Sequence, residues 1–182
     1  MKNIYIVLSQ TGTLFSKAIR LYTKDPYNHS SLSFDSSLKV MYSFGRRKRF
    51  NMLDSGFIEE NFYQGLFPYF PNANCCILEI PVTEAEFEAM YSKVKFFCRN
   101  PYLYRYNLVG VLGYMAGVTI IRQEHYFCSQ FISYVLQETD FWRLQPEFTR
   151  PMDFFSIPNK RLIFEGGIKE FIELYWQSPA LV

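Results

Sequence analysis

The spacing of apolar positions changes along this chain, and each spacing is typical of one kind of secondary structure. Apolar runs bounded by turn-forming residues predict strands at about residues 3–8, 30–35, 39–44, 75–82 and 162–164. Apolar side chains three and four positions apart predict helices at about residues 13–23, 83–98, 108–121, 128–136 and 168–176, and a short one after Pro151. This mixture predicts an α+β fold with a twisted antiparallel sheet flanked by helices.

The composition predicts one folded domain that spans residues 1–182. A chain of 182 residues can bury a sizeable core, and its hydrophobic content of 49% excludes general disorder. Aromatic residues make up 19% of the chain, so some of them are expected to line a groove as well as the core. No internal repeat or low-complexity linker divides the chain.

The net charge of +2 is too small to favour nucleic acid or an anionic membrane as a general partner. The run Arg46-Arg47-Lys48-Arg49 is the local exception. We expect a solvated loop there, and the alternative is electrostatic capture of a phosphate or carboxylate group on a substrate. The expected partner is therefore a small molecule, a lipid or a peptide.

The four cysteines show neither metal-ligand spacing nor a CxxC motif, so we expect no zinc and no other cofactor. The adjacent Cys75 and Cys76 lie in an apolar strand and are expected to pack in the core. The apolar run within residues 1–8 is too short for a secretory signal, which predicts a cytoplasmic protein.

The most apolar segment covers residues 108–121. It is shorter than the ~20 residues that span a bilayer, so we expect no transmembrane helix there. Its glycines favour close packing, and we expect a buried helix. The alternative is an apolar wall beside a reactive group, which would suit an acyl chain.

Cys128 is predicted to lie in the first turn of an amphipathic helix, whose apolar face is formed by Phe131, Ile132, Val135 and Leu136. The amide groups of a first turn lack partners within the helix and carry the positive end of its dipole. They favour a thiolate and can donate to an oxyanion, which indicates a nucleophilic cysteine. The alternative is a buried structural cysteine.

The chain contains two histidines that could activate this thiol. His29 is predicted to be the first residue of a strand, because its segment lies between Asp25-Pro26 and Asp35-Ser36-Ser37. His125 lies only three residues before Cys128, where its ring would more naturally flank the turn than face the sulfur. We therefore predict His29 as the base.

Three stretches together resemble a known family: residues 28–35 with His29, residues 40–46 on the next strand, and residues 126–131 with Cys128. In this order the chain resembles the circularly permuted papain-like amidases. They are a branch of the NlpC cell-wall peptidase superfamily that also contains lecithin:retinol acyltransferase-like enzymes. The resemblance runs from the first strand to about Pro151. It implies a permuted papain-like, NlpC-type fold and a Cys128 and His29 pair.

The resemblance also implies an orienting residue on the second motif strand, at Tyr42 or Ser43. We prefer Ser43, which alternation places on the face of the strand opposite Tyr42. A hydroxyl accepts from an imidazole N–H but supplies no charge to the imidazolium, so Glu59 or Glu60 in the following loop is the alternative.

The predicted function is a cysteine-dependent hydrolase or acyltransferase that forms a thioester from an amide or ester. The backbone N–H of Cys128 is the expected oxyanion donor, and Tyr126 or Gln10 could supply a second. The acyl donor is left open among peptides, lipid esters and other amides, with a slight preference for an amphiphile. The alternative is a catalytically silent ligand-binding module on the same fold.

Overall fold

The computed structural model describes residues 1–10, 24–48, 51–64, 67–70 and 72–176, without the side chains of residues 52, 53, 114, 115 and 176. Within these residues the strands are β1 Lys2–Gln10, β2 His29–Ser33, β3 Met41–Lys48, β4 Asn51–Glu60, β5 Asn74–Val82, β6 Arg105–Tyr106, β7 His125–Tyr126 and β8 Arg161–Gly167. The α-helices are α1 Glu84–Arg99, α2 Leu108–Met115, α3 Cys128–Leu136 and α4 Ile168–Trp176. Short 3-10 helices cover Phe67–Tyr69, Pro146–Phe148 and Pro151–Ser156.

The strands of the described residues form one sheet in the order β7-β6-β4-β3-β2-β1-β5-β8. All neighbouring strands are antiparallel except β6 and β7, which are parallel. The predicted α+β class with a mainly antiparallel sheet is therefore confirmed. The predicted helix at residues 13–23 lies outside the described residues.

Each face of the sheet carries its own apolar cluster, as strand alternation requires. Ile4, Ile6 and Leu8 of β1 pack on the face covered by α1 and α3. Tyr5 and Val7 of the same strand belong to the second cluster, which includes side chains of α4. The core is thus divided by the sheet, and α3 is held against β2 and β3.

Helix α1 begins where the capping box predicts. Thr83 Oγ1 accepts from the Glu86 backbone N–H at 3.2 Å, and the Thr83 N–H donates to Glu86 Oε2 at 2.8 Å. These two bonds satisfy amide groups that the first helical turn leaves without partners.

Residues 46–48 of the basic run, Glu59 and Glu60 were predicted to lie in loops, but they lie in strands. Residues 46–48 continue β3, and Glu59 and Glu60 are the last residues of β4, a strand that the apolar pattern missed. Arg47 also differs from a solvated side chain, because its Nη2 donates to the carbonyls of Pro101 at 2.7 Å and Tyr104 at 3.0 Å. Arg49 lies outside the described residues.

The prediction of a buried helix at residues 108–121 is wrong. Helix α2 ends at Met115, and large apolar side chains in and after it are exposed, namely Val109, Leu112, Val118 and Ile121. Gly110 and Gly113 are buried, so the glycines mark the side of α2 that packs on the protein. No helix within the described part of the chain is long and apolar enough to cross a bilayer.

Candidate active site

Cys128 is the first residue of α3, directly after the short strand β7. The helix starts there because Phe127 is extended, and its backbone N–H donates to Gln130 Oε1 at 3.3 Å. The Cys128 side chain is mostly buried, with the residue 5% exposed, and it lines a cavity. The nucleophile candidate therefore occupies the helix N-terminus that the sequence predicts.

His29 is the first residue of β2 and is paired with Ser9 of β1. Its ring lies beside Ser43 and Gly45 of β3. A Cβ built on Gly45 would lie 3.8 Å from the His29 Cε1. The imidazole can therefore extend across β3 towards β4.

Glu60, at the end of β4, makes the short contact with the imidazole. Its Oε1 lies 2.8 Å from His29 Nε2, which donates to the carboxylate. The side chains of His29 and Glu60 are only 20% and 13% exposed. Ser31, two residues after His29, also donates its hydroxyl to Glu60 Oε1. The carboxylate is thus held by two groups of β2.

Ser43 takes a different position in the same cluster. Its Oγ lies 3.5 Å from His29 Nε2, but it donates at 2.7 Å to the backbone carbonyl of Ser30. Ser43 is completely buried, so this bond satisfies a polar group that water does not reach. The predicted Ser43 therefore lies beside His29, while the shorter contact comes from Glu60.

Tyr42 and Glu59 lie on the other face of the sheet. They are paired across β3 and β4, and the ring of Tyr42 packs against Phe34 and Phe57. Glu59 hydrogen-bonds with the thiol of Cys98 in α1. The structure therefore does not bring these two alternatives to His29.

The sheet opens between β2 and β3, which share only the Leu32 and Tyr42 pair. The opening leaves the backbone of Ser30 without a ladder partner on that side. Its carbonyl accepts from the Ser43 hydroxyl at 2.7 Å, and Ser30 helps to lower the pKa of the Cys128 thiol. Within the described residues the buried Ser30 hydroxyl has no hydrogen-bond partner. Sequence reasoning missed Ser30, because local pattern carries no information about where a sheet opens.

Cys128 and His29 interact, and each moves the pKa of the other towards an ion pair. Burial disfavours the imidazolium, but Glu60 and Cys128 outweigh it and raise the pKa of His29 well above its ordinary value. Burial likewise disfavours the thiolate, but His29 and Ser30 outweigh it and lower the pKa of Cys128. The arrangement favours the pair of thiolate and imidazolium over the pair of thiol and neutral imidazole.

The cavity beside Cys128 has a volume of about 70 Å³. Its lining combines apolar and charged side chains, among them Tyr106, Val111, Phe127, Phe148 and Arg150. Burial, together with the charge of Cys128, raises the pKa of the Tyr106 phenol well above its ordinary value, so this group stays a neutral donor. Sequence reasoning also missed Tyr106, which pairs with Tyr126 through parallel strands 20 residues apart.

The structure also shows the positions of Tyr126 and Gln10, the two residues that the sequence offers as a second oxyanion donor. Tyr126 directs its ring into an aromatic cluster with Phe44, Phe97 and Tyr134. Gln10 is the last residue of β1 and lies opposite Asn74 of β5.

His125 Nδ1 donates to the backbone carbonyl of Gln123 at 2.6 Å. This bond holds its ring against the turn before α3, where the sequence places it.

The remaining cysteines differ from Cys128. Cys75 and Cys76 are free and buried, and burial raises the pKa of each to about 12. Within the described ranges no group of three His, Cys, Asp or Glu side chains could hold a metal ion. The cluster that combines a thiol with a low pKa and a buried base is therefore that of Cys128 and His29.

Comparison with known proteins gives no family for the chain: no protein-family model matches it, and no curated protein matches it.

Proposed function

We propose that this protein is a cysteine-dependent acyl hydrolase or acyltransferase that acts on an amide or ester. The observation that carries the proposal is the buried pairing of Cys128, at the start of α3, with His29, whose ring Glu60 contacts at 2.8 Å; the pKa of the thiol is lowered and that of the imidazole is raised. Such a pair supplies a thiolate nucleophile and an acid for the leaving group.

In the proposed reaction the Cys128 thiolate attacks the carbonyl carbon, and the C–S bond forms as the carbonyl oxygen becomes an oxyanion. The bond to the leaving amine or alcohol then breaks, and the His29 imidazolium donates its proton to that group. A water or another acceptor, deprotonated by His29, attacks the thioester and regenerates the thiolate. The products are a carboxylic acid or a new ester or amide.

Glu60 is the orienting residue in this proposal. Its carboxylate accepts from Nε2, so Nδ1 is the nitrogen left for the sulfur. A buried carboxylate stabilises the imidazolium, which a hydroxyl such as that of Ser43 does not. We prefer Glu60 over Ser43 because Glu60 Oε1 lies 2.8 Å from His29 Nε2, whereas Ser43 Oγ lies 3.5 Å from the same nitrogen.

The backbone N–H of Cys128 and the phenol of Tyr106 are the proposed oxyanion donors. His29 and Ser30 are the groups that lower the pKa of the thiol, which leaves the Tyr106 hydroxyl for a substrate in the cavity. A donor of this kind contributes about 3 kcal/mol to the transition state.

This arrangement fits the resemblance to the circularly permuted papain-like amidases, which we retain as part of the proposal together with a cytoplasmic location. The apolar side chains of Val111, Phe127 and Phe148 beside Cys128 favour an amphiphilic acyl donor over a plain peptide. Assays on short-chain thioesters, lipids and dipeptides compare the two, and exclusive cleavage of polar peptides would overturn the preference.

A silent binding module is the second candidate function, and the low exposure of Cys128 favours it. The two candidates differ in the reactivity of the thiol. Iodoacetamide labelling across pH, followed by peptide mass spectrometry, measures Cys128 and the internal control Cys98 in one sample. Cys98 is more exposed, but burial and Glu59 raise the pKa of its thiol.

An active dyad predicts that Cys128 is alkylated well below the ~8.5 pKa of an ordinary thiol, while Cys98 reacts only at higher pH. The His29→Ala variant should move the Cys128 profile up towards that of Cys98. If Cys128 and Cys98 titrate together in the unmodified protein, the enzyme proposal fails.

A further inference from the structure

Helix α2 and the loop after it present apolar side chains to solvent. Val109, Leu112, Val118 and Ile121, which we call the apolar collar, are between 45% and 69% exposed. Residues 108–121 contain no charged side chain. A surface helix normally turns polar residues outward, so the collar is unusual for a helix that faces only water.

The collar continues into the cavity beside Cys128. Val111 lies between two collar residues on α2 and lines that cavity. Phe148 lines it from another segment and is itself half-exposed. Val111 and Phe148 therefore place apolar side chains in the cavity that holds the nucleophile, beside the charged Asp25, Glu147 and Arg150.

Basic residues border the collar. Arg105 and Arg122 are both exposed, and the chain has no acidic residue between them. The Arg105 backbone N–H donates to the carbonyl of Glu124 at 2.8 Å, which brings both ends of the segment together. Glu124 is the nearest acidic residue in sequence. At the rim of the collar the two arginines exceed Glu124 by one charge, which complements an anionic surface, while Asp25, Glu147 and Arg150 line the cavity.

We propose that the apolar collar docks this protein on an anionic lipid bilayer, with the cavity mouth turned towards the lipid. A protein seated on the collar would cover the cavity, whereas a lipid layer can itself deliver an acyl chain through it. The apolar side chains would enter the headgroup boundary, and Arg105 and Arg122 would contact lipid phosphates. The delivery of substrate rests on the proposed function, but binding to the bilayer does not.

Vesicle co-sedimentation of the full chain tests this docking, with phosphatidylcholine vesicles made with and without phosphatidylglycerol. Leu112→Glu places a charge in the collar. Leu162→Glu is the matched control, because both leucines are 53% exposed and Leu162 lies in β8 at the opposite end of the sheet. We expect binding to the anionic vesicles that weakens with added salt.

Leu112→Glu should reduce the partition coefficient roughly tenfold to a hundredfold, as expected when a buried leucine is lost. Leu162→Glu should bind like the unmodified protein. Hydrolysis of a short soluble ester should be equal in both variants, since neither leucine lines the cavity.

Failure of the unmodified protein to bind either vesicle, or equal losses in the two variants, would overturn the docking. A dimer in light scattering that Leu112→Glu alone dissociates, without vesicle binding, would assign the collar to a second copy instead. Vesicle binding by Cys128→Ser is measured separately. If the unmodified protein binds the vesicles but hydrolyses no thioester, lipid or dipeptide, docking stands and the proposed enzyme function fails.

Discussion

Replacing Glu60 with glutamine removes the negative charge beside His29. It keeps an oxygen that can accept a hydrogen bond from the Nε2–H group of His29. The carboxylate Oε1 lies 2.8 Å from Nε2, and the two side chains are 13% and 20% exposed. Solvent therefore screens this pair only in part. We expect Glu60→Gln to keep the His29 ring in position and to stabilise its protonated form less.

The magnitude follows from this geometry. A hydrogen bond to a charged group contributes about 1.5–3 kcal/mol, and a short, mostly buried pair belongs in the upper part of that range. If the loss falls on the transition state, kcat/KM decreases roughly tenfold to 150-fold. The effect should fall mainly on kcat, because Glu60 acts through His29.

The pH profile of kcat/KM gives the sign of the effect. Activity requires thiolate and imidazolium, which coexist between the lowered pKa of Cys128 and the raised pKa of His29. Without the Glu60 charge, the pKa of His29 falls and the basic limb moves to lower pH. Because less imidazolium is present, the thiolate is stabilised less and the pKa of Cys128 rises. The acidic limb therefore moves to higher pH, and the pH profile narrows.

Glu59→Gln is the matched control, since it removes the neighbouring carboxylate on the opposite face of the sheet. It should leave kcat/KM and the pH profile unchanged. Ser43→Ala should cost less activity than Glu60→Gln and should not narrow the profile. If Glu60→Gln retains full activity, or Ser43→Ala costs more, the assignment of Glu60 as the orienting residue is wrong.

Cys128→Ala and His29→Ala should each abolish nearly all hydrolysis and leave the circular dichroism spectrum unchanged, whereas His125→Ala should be mild. A loss in His125→Ala equal to that in His29→Ala would identify a different base. Tyr106→Phe should lower kcat about a hundredfold with an unchanged rate of Cys128 alkylation, because it removes an oxyanion donor but not the dyad. Tyr126→Phe is its control, and equal kcat losses in both variants would argue against Tyr106 as a donor.

Local pattern was sufficient to predict the elements that carry the dyad. The apolar spacing after Cys128 defines α3 from its first residue, and the polar segment before His29 marks the start of β2. Thr83 and Glu86 define the start of α1 in the same way. Each of these signals depends on residues a few positions apart, and their hydrogen bonds form within one turn or one strand end.

Tertiary structure alone decided which groups surround the dyad and which apolar surface is covered. Glu60 reaches His29 because β4 pairs with β3, Ser30 reaches Cys128 because the sheet opens between β2 and β3, and Tyr106 comes from parallel pairing with β7. These contacts depend on strand register between distant segments, which local periodicity does not encode. The collar residues are apolar in the sequence but exposed in the fold, because hydrophobicity records what a side chain favours, while burial depends on what packs against it.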